Sequence, residues 1–276
     1  MSEKRDYQII NCLISVDLHA NAVVPGARTR VGGGHDGKQD LGHVCKTIFN
    51  YDNFCLLWVV QEVGVDSPYD NYVRHPGCDE IEFVISGACE FGWPGERRWF
   101  KPGIAFNPLR NIPHLNNMRG ILEPLNLLVF YDRPIEKVKR VEFNENEKYT
   151  GDGSYPYVDV YETPAQEIEP GHFRLITCNE ALATSSTYQY LKPGVSVPQA
   201  DFITHDTDEI IFILSGTGIA TYPDKTYRLR PQIAIYNPAG TPHKYWNDGT
   251  EDLKALVLYT KNKVENVKTE KKAFTF

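Results

Sequence analysis

Sliding the sequence along itself by 129 residues lays DEIEFVISG (79–87) on DEIIFILSG (208–216), and the register then holds without a gap. Pro94 meets Pro223, Pro102 meets Pro231, Ile104-Ala105 meets Ile233-Ala234, and Pro113-His114 meets Pro242-His243. Of the 36 pairs from Asp79/Asp208 to His114/His243, 12 are identical. Unrelated strands share apolar patterns, but they do not keep two anchored ends in register over that distance. The chain is a duplication, and whatever it folds into is built twice.

Within each copy the elements are short. EIEFVISGACEFGW and EIIFILSGTGIATY each read as a strand, a Ser-Gly turn and a second strand. RRWFKPGIAFNP and TYRLRPQIAIYNP repeat the pattern around Pro-centred turns, and LNLLVFYD and LKALVLYT close the copies. Helical periodicity is weak outside EFNENEKY (142–149). Short strands with turn signals every ~8–12 residues predict an all-β sandwich or barrel. The expected organisation is an N-terminal arm and loop over 1–50, a first barrel over 51–135, a polar linker over 136–160 and a second barrel over 161–276.

Composition narrows the function classes. With 276 residues, 41% hydrophobic and 24% charged, the chain has enough apolar material for two cores and reads as a soluble globular protein. No apolar run approaches the ~18 residues of a membrane span. The N-terminal MSEKRDYQII has no apolar stretch of the signal-peptide kind behind it, so a cytoplasmic location is expected. The net charge of −7 disfavours nucleic acid and acidic membrane as partners. Six scattered cysteines (12, 45, 55, 78, 89 and 178) without a CxxC pair read as reduced thiols, neither a disulfide framework nor a zinc finger. RVGGGHDGKQD (30–40) lacks the Lys-Ser/Thr of a phosphate loop and is expected to be a surface loop or lid.

The chemistry concentrates where each copy begins and ends its match. In the second copy His205 and Glu209 stand at a strand entrance, and His243 follows 34 residues after Glu209. An antiparallel barrel brings those two segments side by side. Two imidazoles and a carboxylate are a ligand set for a first-row divalent metal, and three protein ligands leave positions open for substrate or oxygen. The plain alternative is that these are turn residues, with Asp206 and Asp208 capping the turn.

The two segments, H-x3-E-x6-G from His205 to Gly216 and P-x-G-x-P-H-x3-N from Pro238 to Asn247, resemble the signature motifs of the cupin superfamily. The resemblance runs through both copies and implies a bicupin: two tandem jelly-roll β-barrels, each with a possible metal site in its mouth. It departs from the common pattern in having Ile203 where many cupins carry a further histidine, so the set carried over is His205, Glu209 and His243. A two-His–one-Glu set is similar to that of cupin dioxygenases of the homogentisate type, although their His-to-Glu spacing is longer. In the first copy Glu80 and His114 align, Pro76 takes the place of His205, and His75 reaches the site only if HPGCDE bulges. Asn111 stands there for the motif glycine and tolerates the left-handed conformation.

The fold leaves the reaction open. With Fe(II) the set suits a dioxygenase of a small phenolic or dicarbonyl compound; with Zn, Mn or Ni it suits a redox-inert isomerase, lyase or cyclase working through an enolate. A metal-free binding protein is the third reading. Tyr245, Tyr190 and Arg74 are the pocket candidates for acid–base or binding roles, with Tyr222, Gln199 and the aromatic Trp246 beside them. His19, His35, His43 and His172 fall outside the motifs and read as surface or supporting residues. The expected partners are a small-molecule substrate and a second copy of the chain in a homo-dimer, since sheet edges need covering. The tail KTEKKAFTF is expected to dock on a chain or hang free.

Overall fold

The computed structural model describes residues 6–12, 29–31, 43–61, 72–117, 123–143 and 157–272. It is built almost wholly of antiparallel strands; among the described residues the helical turns are the short 3-10 segments Ile135–Lys137 and Val264–Asn266. None of the described helices is long and apolar enough to cross a membrane. The chain divides into two compact units, Val16–Glu162 and a second made of Met1–Ser15 with Thr163–Phe276.

The second unit has a seven-stranded sheet in the order Gln8–Asn11, Ile233–Asn237, Glu209–Ser215, Leu253–Tyr259, Ser185–Leu191, His172–Cys178, Gln166–Glu169. A four-stranded sheet (Ser196–Val197, Lys244–Trp246, Gly218–Thr221, Thr226–Leu229) and the pair Phe202–His205 with Thr269–Lys272 complete it. Side chains alternate between the faces of a strand, so one residue in two looks inward. Ile211, Ile213, Ile235, Leu253 and Val257 are the inward set and pack with Leu229 and Tyr222 as the core. Each such side chain contributes roughly 1.5–3 kcal/mol when fully buried.

The first unit repeats the plan. Its seven strands run Tyr157–Asp159, Ile104–Phe106, Glu80–Ser86, Leu125–Tyr131, Phe54–Gln61, His43–Tyr51, Thr29–Val31. Cys89–Trp93, Glu96–Phe100 and Leu115–Asn117 form a smaller sheet, and Tyr72–Arg74 pairs with Val141–Phe143. Its core is more aromatic, with Phe91, Trp93, Phe100 and Phe106 packed around Leu57 and Val59.

Three findings differ from the sequence expectation. Residues 136–160, read as a linker, carry Val141–Phe143 and Tyr157–Asp159, both paired into the first unit. Of the 1–50 arm, Gln8–Asn11 is an edge strand on Ile233–Asn237 in the second unit, and His43–Tyr51 begins in the arm and lies in the first unit's sheet. The helix-like 142–149 segment starts in strand, its remainder lying outside the described residues, as do the glycine run 32–34 and the final 273–276. Short length hid Gln8–Asn11, Val141–Phe143 and Tyr157–Asp159, edge strands of three or four residues, because an edge needs only half an apolar pattern. The tail itself docks on its own chain: Thr269–Lys272 pairs with Phe202–His205. Cys12, Cys55, Cys78, Cys89 and Cys178 are buried thiols, none of them in a disulfide.

The shared Ser-Gly turn has a steric cause. Gly216 and Gly87 both have positive φ (80° and 75°), and a Cβ there would lie 2.3 Å from the Asp252 carbonyl oxygen and 2.6 Å from that of Pro124. Only glycine lets the turn lie against the closing strand.

Candidate metal centre

Each unit brings two histidines and one glutamate to a point. His205 ends its strand, Glu209 begins the next, and His243 immediately precedes Lys244–Trp246, where it bridges to Ile203. His75, Glu80 and His114 occupy the matching places, with His114 bridged to Val73. Within each triad the ligand atoms lie within 4.8 Å of one another. His205 Nε2 and His243 Nε2 stand 3.4 and 3.2 Å from the Glu209 carboxylate. His75 Nε2 and His114 Nε2 stand 3.4 and 3.1 Å from that of Glu80. Two donors about 2.1 Å from one ion, at octahedral or tetrahedral angles, are about 3.0–3.4 Å apart. The donor spacing fits a first-row divalent cation.

The turns that hold the triads are built from the other acids of the motif. Asp208 accepts hydrogen bonds from the Ala239 amide (2.9 Å) and the Tyr236 hydroxyl (3.2 Å), which pins the loop carrying His243. Asp206 accepts from the Lys268 amide (3.0 Å) and pairs with Lys261 (2.6 Å). In the first unit Asp79 accepts from the Arg110 amide (3.3 Å), the same link one repeat earlier. Asn111, with φ 63°, does what Gly240 does at φ 79°. The extra residue between His75 and Glu80 is taken up by a turn closed from the Cys78 amide to the His75 carbonyl (3.2 Å), with Gly77 at positive φ.

Hydrogen bonding decides which nitrogen each ring presents. His243 Nδ1 lies 2.9 Å from the Thr241 carbonyl, His114 Nδ1 3.0 Å from that of Ile112, and His75 Nδ1 2.9 Å from that of Lys139. A carbonyl only accepts, so Nδ1 carries the proton and a neutral ring points the Nε2 lone pair at the carboxylate. Lone pair facing anion is repulsive, and the arrangement calls for a proton or a cation between them. His243 Nε2 and Glu80 Oε2 are buried without a hydrogen-bond partner, as ligand atoms aimed at an ion would be.

The charges follow the same logic. Burial would raise the Glu209 carboxyl, but His243, His205 and the Asn237 amide outweigh it and hold it down at about 2. Burial likewise works against Glu80, and His75 and His114 bring it to about 2. Burial pulls His205 down, yet Glu209 wins and raises it; for the more deeply buried His243 burial wins and lowers it. One ring of the pair holds a proton readily and the other resists it.

The second unit's triad opens on a cavity of about 320 Å³. Ile203, Ile211, Ala255 and Val257 form an apolar wall, and Arg174, Gln189, Glu169, His172 and Lys271 supply polar groups. Asn237 stands behind the carboxylate: it donates to Glu209 Oε2 (2.9 Å) and to the Tyr245 hydroxyl (2.6 Å), and accepts from the Tyr222 hydroxyl (2.8 Å). Tyr259 lines the same cavity, and burial followed by the Glu209 charge keeps its phenol protonated.

Residues 187–259 match the cupin domain family. No curated protein matches the chain in sequence. Among solved structures, a variant of Bacillus subtilis oxalate decarboxylase superposes with a TM-score of 0.62 at 14% identity, covering 83% of this chain and 75% of that one. A variant of salicylate 1,2-dioxygenase from Pseudoaminobacter salicylatoxidans, in complex with gentisate, gives a TM-score of 0.60 at 10% identity, covering 80% and 74%. The fold is that of a bicupin. Both units of the bicupin hold a potential metal-binding His-Glu-His triad, so the duplication kept the ligands as well as the barrel.

The pocket candidates divide. Tyr190 and Tyr245 line the cavity of the bicupin's second unit. Arg74 does not: it lies in the first unit, its guanidinium 5.5 Å from the Phe143 ring centroid, because that aromatic face sits on the strand paired with its own. Trp246 is exposed to solvent, and Gln199 uses its carbonyl to accept from Lys244. His172, read as a supporting residue, lines the cavity and bonds Gln189 at 2.8 Å. His19 and His35 lie outside the described residues. Asn237, Tyr259, Gln189 and Thr269, whose hydroxyl meets His205 Nδ1 at 3.0 Å, were missed. A signal for Tyr259 existed: the closing strands Leu125–Tyr131 and Leu253–Tyr259 both end in tyrosine, and Tyr131 pairs with Glu80 as Tyr259 does with Glu209.

Proposed function

We propose that the second unit is the active site of a metal-dependent oxidoreductase of the dioxygenase type, acting on a small phenolic or dicarbonyl compound. The observation that carries this reading is the buried two-His–one-Glu triad whose His205 and Glu209 line a tyrosine-lined cavity. His205, Glu209 and His243 would hold the metal, Fe(II) in this reading, whose chemistry when bound is to bring substrate and O₂ together and pass electrons between them. The chain's own residues do the rest. Asn237 and Thr269 fix the orientation of Glu209 and His205. The apolar wall excludes water and leaves room for a ring or short acyl chain. Tyr259, held protonated beside Glu209, donates a hydrogen bond to an oxygen that gains negative charge there.

The test is O₂ uptake by protein loaded anaerobically with iron, against a panel of phenols and 1,3-dicarbonyl compounds. Uptake with one class supports the reading; no uptake by protein that retains its iron sinks it. The protonated Tyr259 also favours a second reading, a redox-inert isomerase, lyase or cyclase, in which the same phenol protonates an enolate. Turnover of a dicarbonyl by zinc-loaded protein without oxygen separates the two.

A further inference from the structure

Arg174 has no role in holding the triad, yet the sheet register places it on the cavity wall. Glu209 pairs with Tyr259, and four residues further along the strands, Ile213, Ala255, Gln189 and Arg174 form a row across four neighbouring strands. Alternation puts that row on the same face as Glu209. Glu209, Tyr259, Gln189 and Arg174 all line the one cavity, so its wall runs from the triad to Arg174.

The charge on that wall is unbalanced. Arg97, Arg98, Arg110, Arg133 and Arg228 each meet a carboxylate. Among the described residues, no carboxylate lies within ion-pair distance of the Arg174 guanidinium or the Lys271 ammonium group, which stands exposed at the cavity rim. Glu169 also lines the cavity without pairing to either, and His172 is held neutral by burial. Glu209 lines the cavity too, but its charge faces His205 and His243; on the rest of the wall two cations stand against the one carboxylate of Glu169. A half-buried guanidinium offers a planar fork of donors, and its natural complement is a group with two coplanar anionic oxygens.

We propose that the cavity takes its substrate as a carboxylate docked on Arg174, with Lys271 adding attraction at the rim. This deepens the active-site reading above and rests on it for the cavity being the substrate site. The carboxylate lies on Arg174, the hydrocarbon along Ile211, Ala255 and Val257, and the reacting end faces the triad.

The probes are para-fluorobenzoate and para-fluorobenzamide, which share a ring and differ in charge, titrated by fluorine NMR into metal-stripped and zinc-reloaded protein. The benzoate binds at least about tenfold tighter than the benzamide, as expected for charge-assisted hydrogen bonds. Arg174→Gln abolishes that preference, and Arg174→Lys, which keeps charge but loses the fork, retains part of it. Equal binding of both probes, no binding of the benzoate at millimolar concentration, or an unchanged preference in folded Arg174→Lys and Arg174→Gln proteins overturns the proposal. No oxygen chemistry enters the readout. A protein inert to O₂ that still selects the benzoate through Arg174 overturns the dioxygenase reading and leaves this one standing.

Discussion

Asn237→Ala is the sharpest probe of how the carboxylate is held. The amide is buried, 1% exposed, and makes three hydrogen bonds, to Glu209, Tyr245 and Tyr222. Alanine removes all three and strands a buried phenol donor at Tyr222 and one oxygen of an ionised glutamate. Each stranded group costs about 1–3 kcal/mol, so the substitution destabilises the second unit by about 3 kcal/mol. For a unit of this size that is a fall of about 10 °C in Tm. Metal affinity at the same triad drops ~10–100-fold, the usual effect of losing a hydrogen bond that orients a ligand. Tyr222→Phe alone removes the donor and leaves the Asn237 oxygen unmet, at a cost of about 1 kcal/mol. The double variant leaves neither group stranded against the other, so it is less destabilised than the sum of the two by about 1 kcal/mol. Thermal denaturation of the four proteins, with a metal-competition titration, measures both quantities. Strict additivity in the cycle, or wild-type metal affinity in Asn237→Ala, would refute the view that this amide positions Glu209.

Other outcomes follow from the same geometry. Elemental analysis of protein refolded with excess divalent metal returns two equivalents per chain; His243→Ala and His114→Ala each remove one, and a single equivalent that only one variant abolishes would show a triad to be vestigial. In metal-free protein the depressed Glu209 carboxyl contributes stability that is full above its ordinary 4.5 and is lost as pH falls towards about 2, while the raised His205 contributes stability that is full below its ordinary 6.5 and is lost as pH rises through its elevated value. The Tm advantage of wild type over Glu209→Gln is therefore greatest between pH 4.5 and 6.5 without metal; an advantage that keeps growing above that window contradicts the assignment. Because a bound ion displaces the His205 proton, metal affinity itself weakens on acidification, read as zinc released to a chromogenic chelator across a pH series. Gly216→Ala, with its Cβ 2.3 Å from a carbonyl oxygen and φ at 80°, costs more than ~1 kcal/mol, whereas Gly194→Ala, which meets nothing within 4 Å, costs less; chemical denaturation ranks them.

Much of the site was legible because duplication supplies its own control. The paired DEI and PH segments located both triads, and Asn111 against Gly240 anticipated a left-handed residue in both loops. What escaped is what a linear register cannot see. Asn237 follows Tyr236, and in the gapless alignment it meets Pro108, because its counterpart in the first copy, the buried Asn107, falls one position earlier. Arg174 and His172 face the cavity only because their strand pairs with Ser185–Leu191 in one particular register, and register is fixed by partners far away in the chain. Gln8–Asn11 is four residues with no turn signal, and nothing local says that its partner is Ile233–Tyr236.

That last pairing carries a consequence for synthesis. Gln8–Asn11 leaves the ribosome well before its partner Ile233–Asn237, and Tyr7, just before it, stacks on Tyr222 with ring centroids 3.9 Å apart. At ~5–20 residues per second its partner strand emerges roughly 10–45 s later. For that interval Ile9 and Ile10 wait without their sheet, exposed to any other strand in reach. A fragment beginning near residue 160 lacks that strand, which leaves Ile233–Asn237 as the open edge of the second unit's sheet.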